Sequence, residues 1–225
     1  MANESPQRVV CFDLGGVLVR ICQTWAEACA LATLPARNLE WLTSDEWRER
    51  RQRAGDQYQA GEIDCATYYA ELAAISAGRY SAAEWEAMHH AWTLEHYPGA
   101  LDLVRALNAL PNITTACLSN TNHAHWVRLS GADGKREYPA VLELRYQLAS
   151  HLLGCAKPDA RIYAVAQRRF TEANALQPSN ILFFDDLPDN VAAARAAGWT
   201  AFQVDPSGDT VQQMRGLLAR AGIDV

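Results

Sequence analysis

The stretch RVVCFDLGGVLV, residues 8–19, runs through the apolar residues Val9 to Phe12 straight into Asp13, with Gly15 and Gly16 just beyond. A short run of β-branched and aromatic residues that ends at turn formers reads as a strand buried on both faces, the kind found in a parallel sheet. A carboxylate at the end of such a strand is costly to desolvate for structure alone, which makes Asp13 a candidate for chemistry.

Further runs of the same kind are ITTACL (113–118), LRYQL (144–148), ILFF (181–184) and TAFQV (200–204). Between them lie helical patterns at 99–110, 159–169, 188–197 and 209–221. Strands alternating with helices imply βαβ units, hence an α/β fold with a Rossmann-like parallel sheet and helices on both faces. The region 22–97 breaks the rhythm: it shows no convincing strand and is dense in Ala, Glu, Arg, Leu and Trp at helical spacing. Helices are expected there at 23–34, 38–53, 65–78 and 82–95, punctuated by Pro35, Gly55, Gly61 and Gly78. The expected organisation is a catalytic core of residues 1–21 and 98–225 with a helical cap, 22–97, inserted after the first strand. Such an insertion would sit over the carboxyl edge of the sheet, where open α/β sheets bind ligands.

The 225 residues carry a formal charge of −6 with no basic stripe, which argues against a nucleic-acid partner and leaves room for a small metabolite. Six cysteines show no C-x-x-C spacing, and Cys11 and Cys117 fall within strand-like runs, as in a reducing compartment. The first residues, MANESPQR, lack an apolar signal region and no window approaches a membrane span, so a cytoplasmic protein without a membrane partner is expected. Nothing in the pattern speaks to oligomeric state.

Polar clusters follow the strands: Asp13, then Ser119-Asn120-Thr121-Asn122, then Asp185-Asp186 with Asp189-Asn190, while Lys157 stands in AKPD just before a helix. In a parallel sheet these groups converge on one edge although they are far apart in sequence. Asp13, Asp185 and Asp186 form an oxygen donor set suited to a hard divalent cation, which would relieve their mutual repulsion. Ser119 and nearby backbone N–H groups suit phosphate oxygens, Lys157 would neutralise nucleophile and phosphate, and Asp13 could attack phosphorus to give an aspartyl-phosphate. Other polar residues have plainer readings. Asp189 and Asn190 are expected to cap the helix near Pro188, with an orienting role also open for Asn190. His89, His90 and His96 are read as structural, the run EWRERRQR (46–53) as a solvated face, and Trp25, Trp41, Trp47, Trp85 and Trp92 as helical core.

Together FDLGGVL, LSN, KPDARIY and FFDD resemble, in order and spacing, the haloacid dehalogenase-like hydrolases over about residues 9–204. The wording FDLGGVL, LSNTN, FFDDLPDN and AAGW is similar to the sugar-phosphatase branch that includes glucose-1-phosphate phosphatases and the phosphatase domain of soluble epoxide hydrolases. The resemblance implies a magnesium-dependent phosphatase of a small phosphorylated metabolite. It implies Asp13 as nucleophile and metal ligand, the Gly15 carbonyl as second ligand, Asp186 as acidic ligand and Asp185 as its neighbour. Ser119, Asn120 and Lys157 would bind phosphate, with Gly16 in the substrate-binding loop giving the chain room to turn. Two positions depart from the pattern. Gly15 stands where most family phosphatases carry an acid/base Asp, a function worth roughly 10²–10⁴ in rate, and Leu152 stands where relatives have an acidic residue, which would leave Lys157 less firmly placed. His123 and His125 are the nearest histidines that could replace the missing acid. Two other readings remain open here: a metal-free dehalogenase in which Asp13 attacks carbon, and a weakened enzyme serving as a binding or regulatory protein.

Overall fold

The computed structural model describes residues 7–35, 37, 44–171 and 176–225. Strand β1 (Arg8–Phe12) leads through the glycine turn into β2 (Val19–Ile21), and helices α1 (Trp25–Leu31), α2 (Asp45–Gln59), α3 (Cys65–Ile75) and α4 (Ala82–His90) follow. Next come β3 (Thr93–His96), α5 (Ala100–Asn108), β4 (Ile113–Ser119), α6 (His123–Leu129), α7 (Pro139–Leu142), β5 (Tyr146–Ala149) and α8 (Ser150–Leu153). The chain finishes with α9 (Ala160–Thr171), β6 (Ile181–Asp185), α10 (Pro188–Ala196), β7 (Thr200–Gln203) and α11 (Thr210–Arg220).

The main sheet has the order β5-β4-β1-β6-β7, and every neighbouring pair is parallel. This is the α/β architecture expected from the alternating runs. Successive side chains of β1 go to opposite faces. Val10 and Phe12 pack with Leu103 and Leu107 of α5 and Met214 and Leu218 of α11, whereas Val9 and Cys11 pack with Ile162 and Tyr163 of α9 and Val191 and Ala194 of α10. Both faces are therefore covered, which is why these strands read as unbroken apolar runs. The chain leaves β1 for neighbours on either side, so the crevice at its carboxyl end is the switch point of the sheet. All six cysteines are free. No helix among the described residues is long and apolar enough to cross a membrane.

The region 22–97 contains a strand that the helical pattern obscures. β3 pairs antiparallel with β2, with Val19 opposite His96 and Ile21 opposite Thr93. This ribbon carries the chain out to the helices and back, and it ends the expected 82–95 helix at His90. The start of that helix is local chemistry: Ser81 and Glu84 form a reciprocal capping box. Gly55 lies inside α2 instead of ending it, since α2 continues to Gln59 and the left-handed residue is Gly61, φ 72°. A Cβ on Gly61 would collide with the His151 carbonyl, so the α2–α3 turn rests directly on α8. The first part of the expected 38–53 helix, with Trp41, lies outside the described residues.

A separate apolar cluster holds these helices together, built on Trp47, Tyr58, Tyr68, Tyr69, Tyr80 and Trp85. Trp85 is fully buried, stacked on Trp47 with centroids 5.5 Å apart and edge-on to Trp25 at 5.1 Å. Trp92 packs against Trp25 at 4.7 Å. Truncation of Trp85 to alanine is expected to destabilise the protein by about 3–5 kcal/mol, the usual cost of emptying a large aromatic site. Equilibrium urea denaturation should show the lower midpoint.

Candidate active site

The glycine turn after β1 and the ends of β4 and β6 open on one cleft of about 700 Å³. It is lined on the sheet side by Asp13, Gly15, Ser119, Asn120, Lys157 and Asp186, and on the helical side by Trp25, Arg51, Gln52, Asp56, Gln59 and His89. The structure thus brings the residues singled out in the sequence to one place. Gly16 sits in the turn beside Asp186, and Asp185 lies buried at the end of β6.

Lys157 organises this edge. Its side chain is fully buried, and Nζ lies 2.6 Å from Asp185 Oδ2 and 3.0 Å from Asp13 Oδ1. Asn120 clamps its backbone: Lys157 N–H donates to Asn120 Oδ1 at 2.8 Å, and Asn120 Nδ2 donates to Lys157 O at 2.7 Å. The Asn120 side chain therefore places the lysine, which qualifies the expectation that it holds phosphate. Leu152 is 65% exposed and plays no part in holding Lys157, so the expected looseness of the lysine does not arise.

Asp185 is saturated as an acceptor. Oδ1 takes hydrogen bonds from the Leu187 N–H (2.9 Å) and Asn190 Nδ2 (3.0 Å), while Oδ2 takes Lys157 Nζ and Asn190 Nδ2 (3.1 Å). A carboxylate offers about four acceptor positions, and all are used. It is Asp185, not Asp189 or Asn190, whose oxygen reaches the backbone at the start of α10; Asn190 instead orients Asp185. Asp13 is held by its neighbour's amide, Leu14 N–H to Oδ1 at 2.7 Å. Ser119 is 3% exposed, and its hydroxyl makes no hydrogen bond among the described residues, which leaves it for a ligand in the cleft.

Three carboxylates face one ammonium here. Burial, reinforced by the charges of Asp185 and Asp186 against the pull of Lys157, raises Asp13 to about 7. Burial and the Asp185 charge raise Asp186 to about 6. For Lys157, burial opposes the charge but Asp13 and Asp185 outweigh it, so its pKa lies above the ordinary lysine value. The edge carries surplus negative charge, and a divalent cation is the remedy its chemistry fits. Oxygen atoms of Asp13, Asp185 and Asp186 lie within 4.8 Å of one another, a hard donor set. Gly16, at φ 76°, keeps that cradle open, because a Cβ there would stand 2.7 Å from Asp186 Oδ2. Since Asp185 is saturated, the open carboxylates are those of Asp13 and Asp186.

At Gly15 the packing does not exclude a side chain. An added Cβ would meet only the methyl groups of Ile21, at 3.4 Å. The two histidines nearest in sequence do not fill the role. His123 lines a different cavity, beside His151. His125 is buried, with Asn122 Nδ2 3.4 Å from its Nδ1 and its Nε2 2.7 Å from the His89 carbonyl. An amide nitrogen donates and a carbonyl accepts, so His125 carries its proton on Nε2 and spends it on that carbonyl. Among the described residues, the histidine that lines the cleft with an unpartnered ring nitrogen is His89, which is read as structural from sequence. Its signal was the capping box, which fixes the helix phase and puts His89 four residues after the buried Trp85.

Residues 7–198 match the haloacid dehalogenase-like hydrolase model. Phosphatase MT3486 of Mycobacterium tuberculosis is 44% identical over 63 residues, which is 28% of this chain and 27% of that protein, so the alignment spans about a quarter of the relative's length. A HAD family enzyme of Bacteroides thetaiotaomicron, BT-2542, solved in complex with magnesium and inorganic phosphate, superposes with a TM-score of 0.71 at 19% identity, covering 93% of this chain and all of that one. L-2-haloacid dehalogenase of Xanthobacter autotrophicus, with chloropropionic acid covalently bound, gives 0.61 at 17% identity, covering 97% and 85%. At these identities both structures speak to the fold.

Two measurements test the geometry. Lys157→Met leaves Asp13 and Asp185 buried without their cation and should cost about 3–5 kcal/mol of stability near neutral pH, read by urea denaturation. Burial depresses His125 from 6.5 to about 4. A histidine held neutral contributes stability that is complete above its unfolded pKa and is lost as pH falls from about 6.5 towards 4, at up to about 1.4 kcal/mol per unit. Denaturation at pH 7.5 and 4.5 should show a smaller acid loss in His125→Gln than in the parent.

Proposed function

The chain belongs to the haloacid dehalogenase-like hydrolase family, and on that premise we propose that it is a magnesium-dependent phosphatase of small phosphorylated metabolites, with sugar phosphates as the favoured class. The observation that carries this reading is the surplus of carboxylate around Asp13: three acids against a single buried lysine, two of them, Asp13 and Asp186, opening beside Ser119. Dehalogenation by the same aspartate needs no cation, and for it such a cluster would be an uncompensated cost. A phosphatase named among the relatives and a structural neighbour holding magnesium and phosphate support the same choice.

In this reading Asp13 is the nucleophile. Its free oxygen attacks phosphorus, an O–P bond forms, and the ester oxygen leaves with its electron pair; water then cleaves the aspartyl-phosphate. Lys157 keeps Asp13 oriented and offsets charge shared by carboxylate and phosphate. Ser119 donates its free hydroxyl to a phosphate oxygen. Asp185 acts at one remove, through Lys157 and Asn190. Magnesium, held by Asp13, Asp186 and the Gly15 carbonyl, would supply Lewis-acid shielding of the phosphoryl oxygens. The helical segment 22–97 serves as the cap, excluding water from the cleft and offering Arg51, Gln52, Asp56 and Gln59 to the rest of the substrate.

Incubation with p-nitrophenyl phosphate and a panel of sugar phosphates is expected to give magnesium-dependent release of inorganic phosphate, abolished in Asp13→Asn and by chelator. Turnover that survives either treatment overturns the mechanism. Halide release from haloacids would assign the dehalogenase chemistry instead, and ligand-induced thermal shifts without any turnover would assign a binding role. Gly15→Asp, whose Cβ the packing admits, is expected to raise turnover of alkyl phosphates by about 10-fold or more by restoring a proton donor.

A further inference from the structure

His89 lies in the last turn of α4 and is 7% exposed, yet it lines the cleft that contains Asp13. Its Nδ1 lies 3.0 Å from the hydroxyl of Tyr69, itself 3% exposed. A buried phenol must place its proton on an acceptor, and here that acceptor is His89 Nδ1. The imidazole proton therefore sits on Nε2. Burial, with His125 and His90 nearby, holds the ring neutral, well below the ordinary histidine pKa. Nε2 has no hydrogen-bond partner among the described residues. The ring is held between the Tyr69 hydroxyl and the His125 ring, on which it stacks at 4.0 Å and 12°. The result is a neutral N–H donor on a residue that lines the cleft, in a site whose acid position is Gly15.

Resting on the phosphatase reading, we propose that His89 is a catalytic residue whose Nε2–H donates a hydrogen bond to the leaving ester oxygen of the substrate. As the Asp13 O–P bond forms and the ester P–O bond breaks, the electron pair moves onto that oxygen, and the donor stabilises the growing charge. No proton passes from the ring, since that would leave an imidazolate; the departing oxygen is protonated by solvent. Such a donor helps most where the oxygen develops most charge. It also suits leaving groups that are already moderately acidic, such as the anomeric oxygen of a sugar 1-phosphate, which need stabilisation but not full protonation.

The experiment compares wild type, His89→Phe and His89→Gln on phosphate monoesters of graded leaving-group acidity: p-nitrophenyl, phenyl and alkyl. His89→Phe keeps an aromatic ring to stack on His125 but has no donor, and His89→Gln keeps an amide N–H. In His89→Phe, kcat on the alkyl ester is expected to fall about 10²-fold, the usual effect of losing one oxyanion donor, while that on p-nitrophenyl phosphate changes by less than about 3-fold. The dependence of log kcat on leaving-group pKa should steepen accordingly, and His89→Gln should recover part of the loss. Equal losses on all esters in both variants would overturn the proposal and leave His89 a packing residue. Should His89→Phe fail to fold, His89→Leu, likewise without a donor, takes its place: an unchanged slope against wild type is the same refutation. Absence of wild-type turnover on every ester would withdraw the phosphatase reading and this inference together.

Discussion

One buried ammonium sets the terms for the rest of the site. Lys157 Nζ has no exposure and touches Asp13 from β1 and Asp185 from β6, groups that would repel each other without it. Removing either charge would strand the other in a medium that solvates it poorly. The lysine comes from a loop, so the fold must hold that loop, and it does so by two hydrogen bonds from Asn120, which follows β4. The strands β1, β4 and β6 are adjacent and parallel, so their carboxyl ends deliver all three contributions to one point. The sheet is in this sense the scaffold of a charge network.

The network is incomplete by design of its own charges. One cation faces three carboxylates, and the pKa values of Asp13 and Asp186 are raised first by burial and further by this imbalance. Asp185, saturated by Lys157, Asn190 and the Leu187 amide, cannot absorb more. What is left open points into the cleft. Across it, α1, α2 and the turn after α4 present a different kind of surface, with aromatic rings at Trp25 and Trp92 and polar ends from α2. The β2–β3 ribbon ties the two halves, helped by Arg128, whose guanidinium reaches the His90 carbonyl and the Thr93 hydroxyl, both at 2.7 Å. The stacked pair His89 and His125 spans the same seam.

Much of this was legible from local pattern. The apolar runs at 9–12, 113–118, 181–184 and 200–204 all become strands of the parallel sheet, because burial on both faces leaves a continuous signature. Helix starts were legible where a side chain caps the backbone, as at Ser81. β3 was not: TLEH has no alternation of its own, and it is a strand only because Val19–Ile21 lies alongside to accept it. Gly55 looked like a break, but a single glycine in a helix costs only about 1 kcal/mol, and the packing of Trp47, Ala54 and Tyr58 outweighs it.

The amino-acid order by itself determined the α/β architecture and singled out the acids and the lysine proposed to carry the chemistry; that Gly15 stands in the place of an acid came from the family resemblance. The strands are a matter of periodicity and the candidate acids of residue type at strand ends, both written locally. Tertiary structure alone decided which of those residues face the cleft and which serve them. Asn120 and Asn190 became positioning groups because their amides find Lys157 and Asp185 across the fold. His125 was ruled out, and His89 brought forward, by the hydrogen bonds their rings make. A side chain's free valence depends on what surrounds it, and for these residues the surroundings come from segments dozens of positions away.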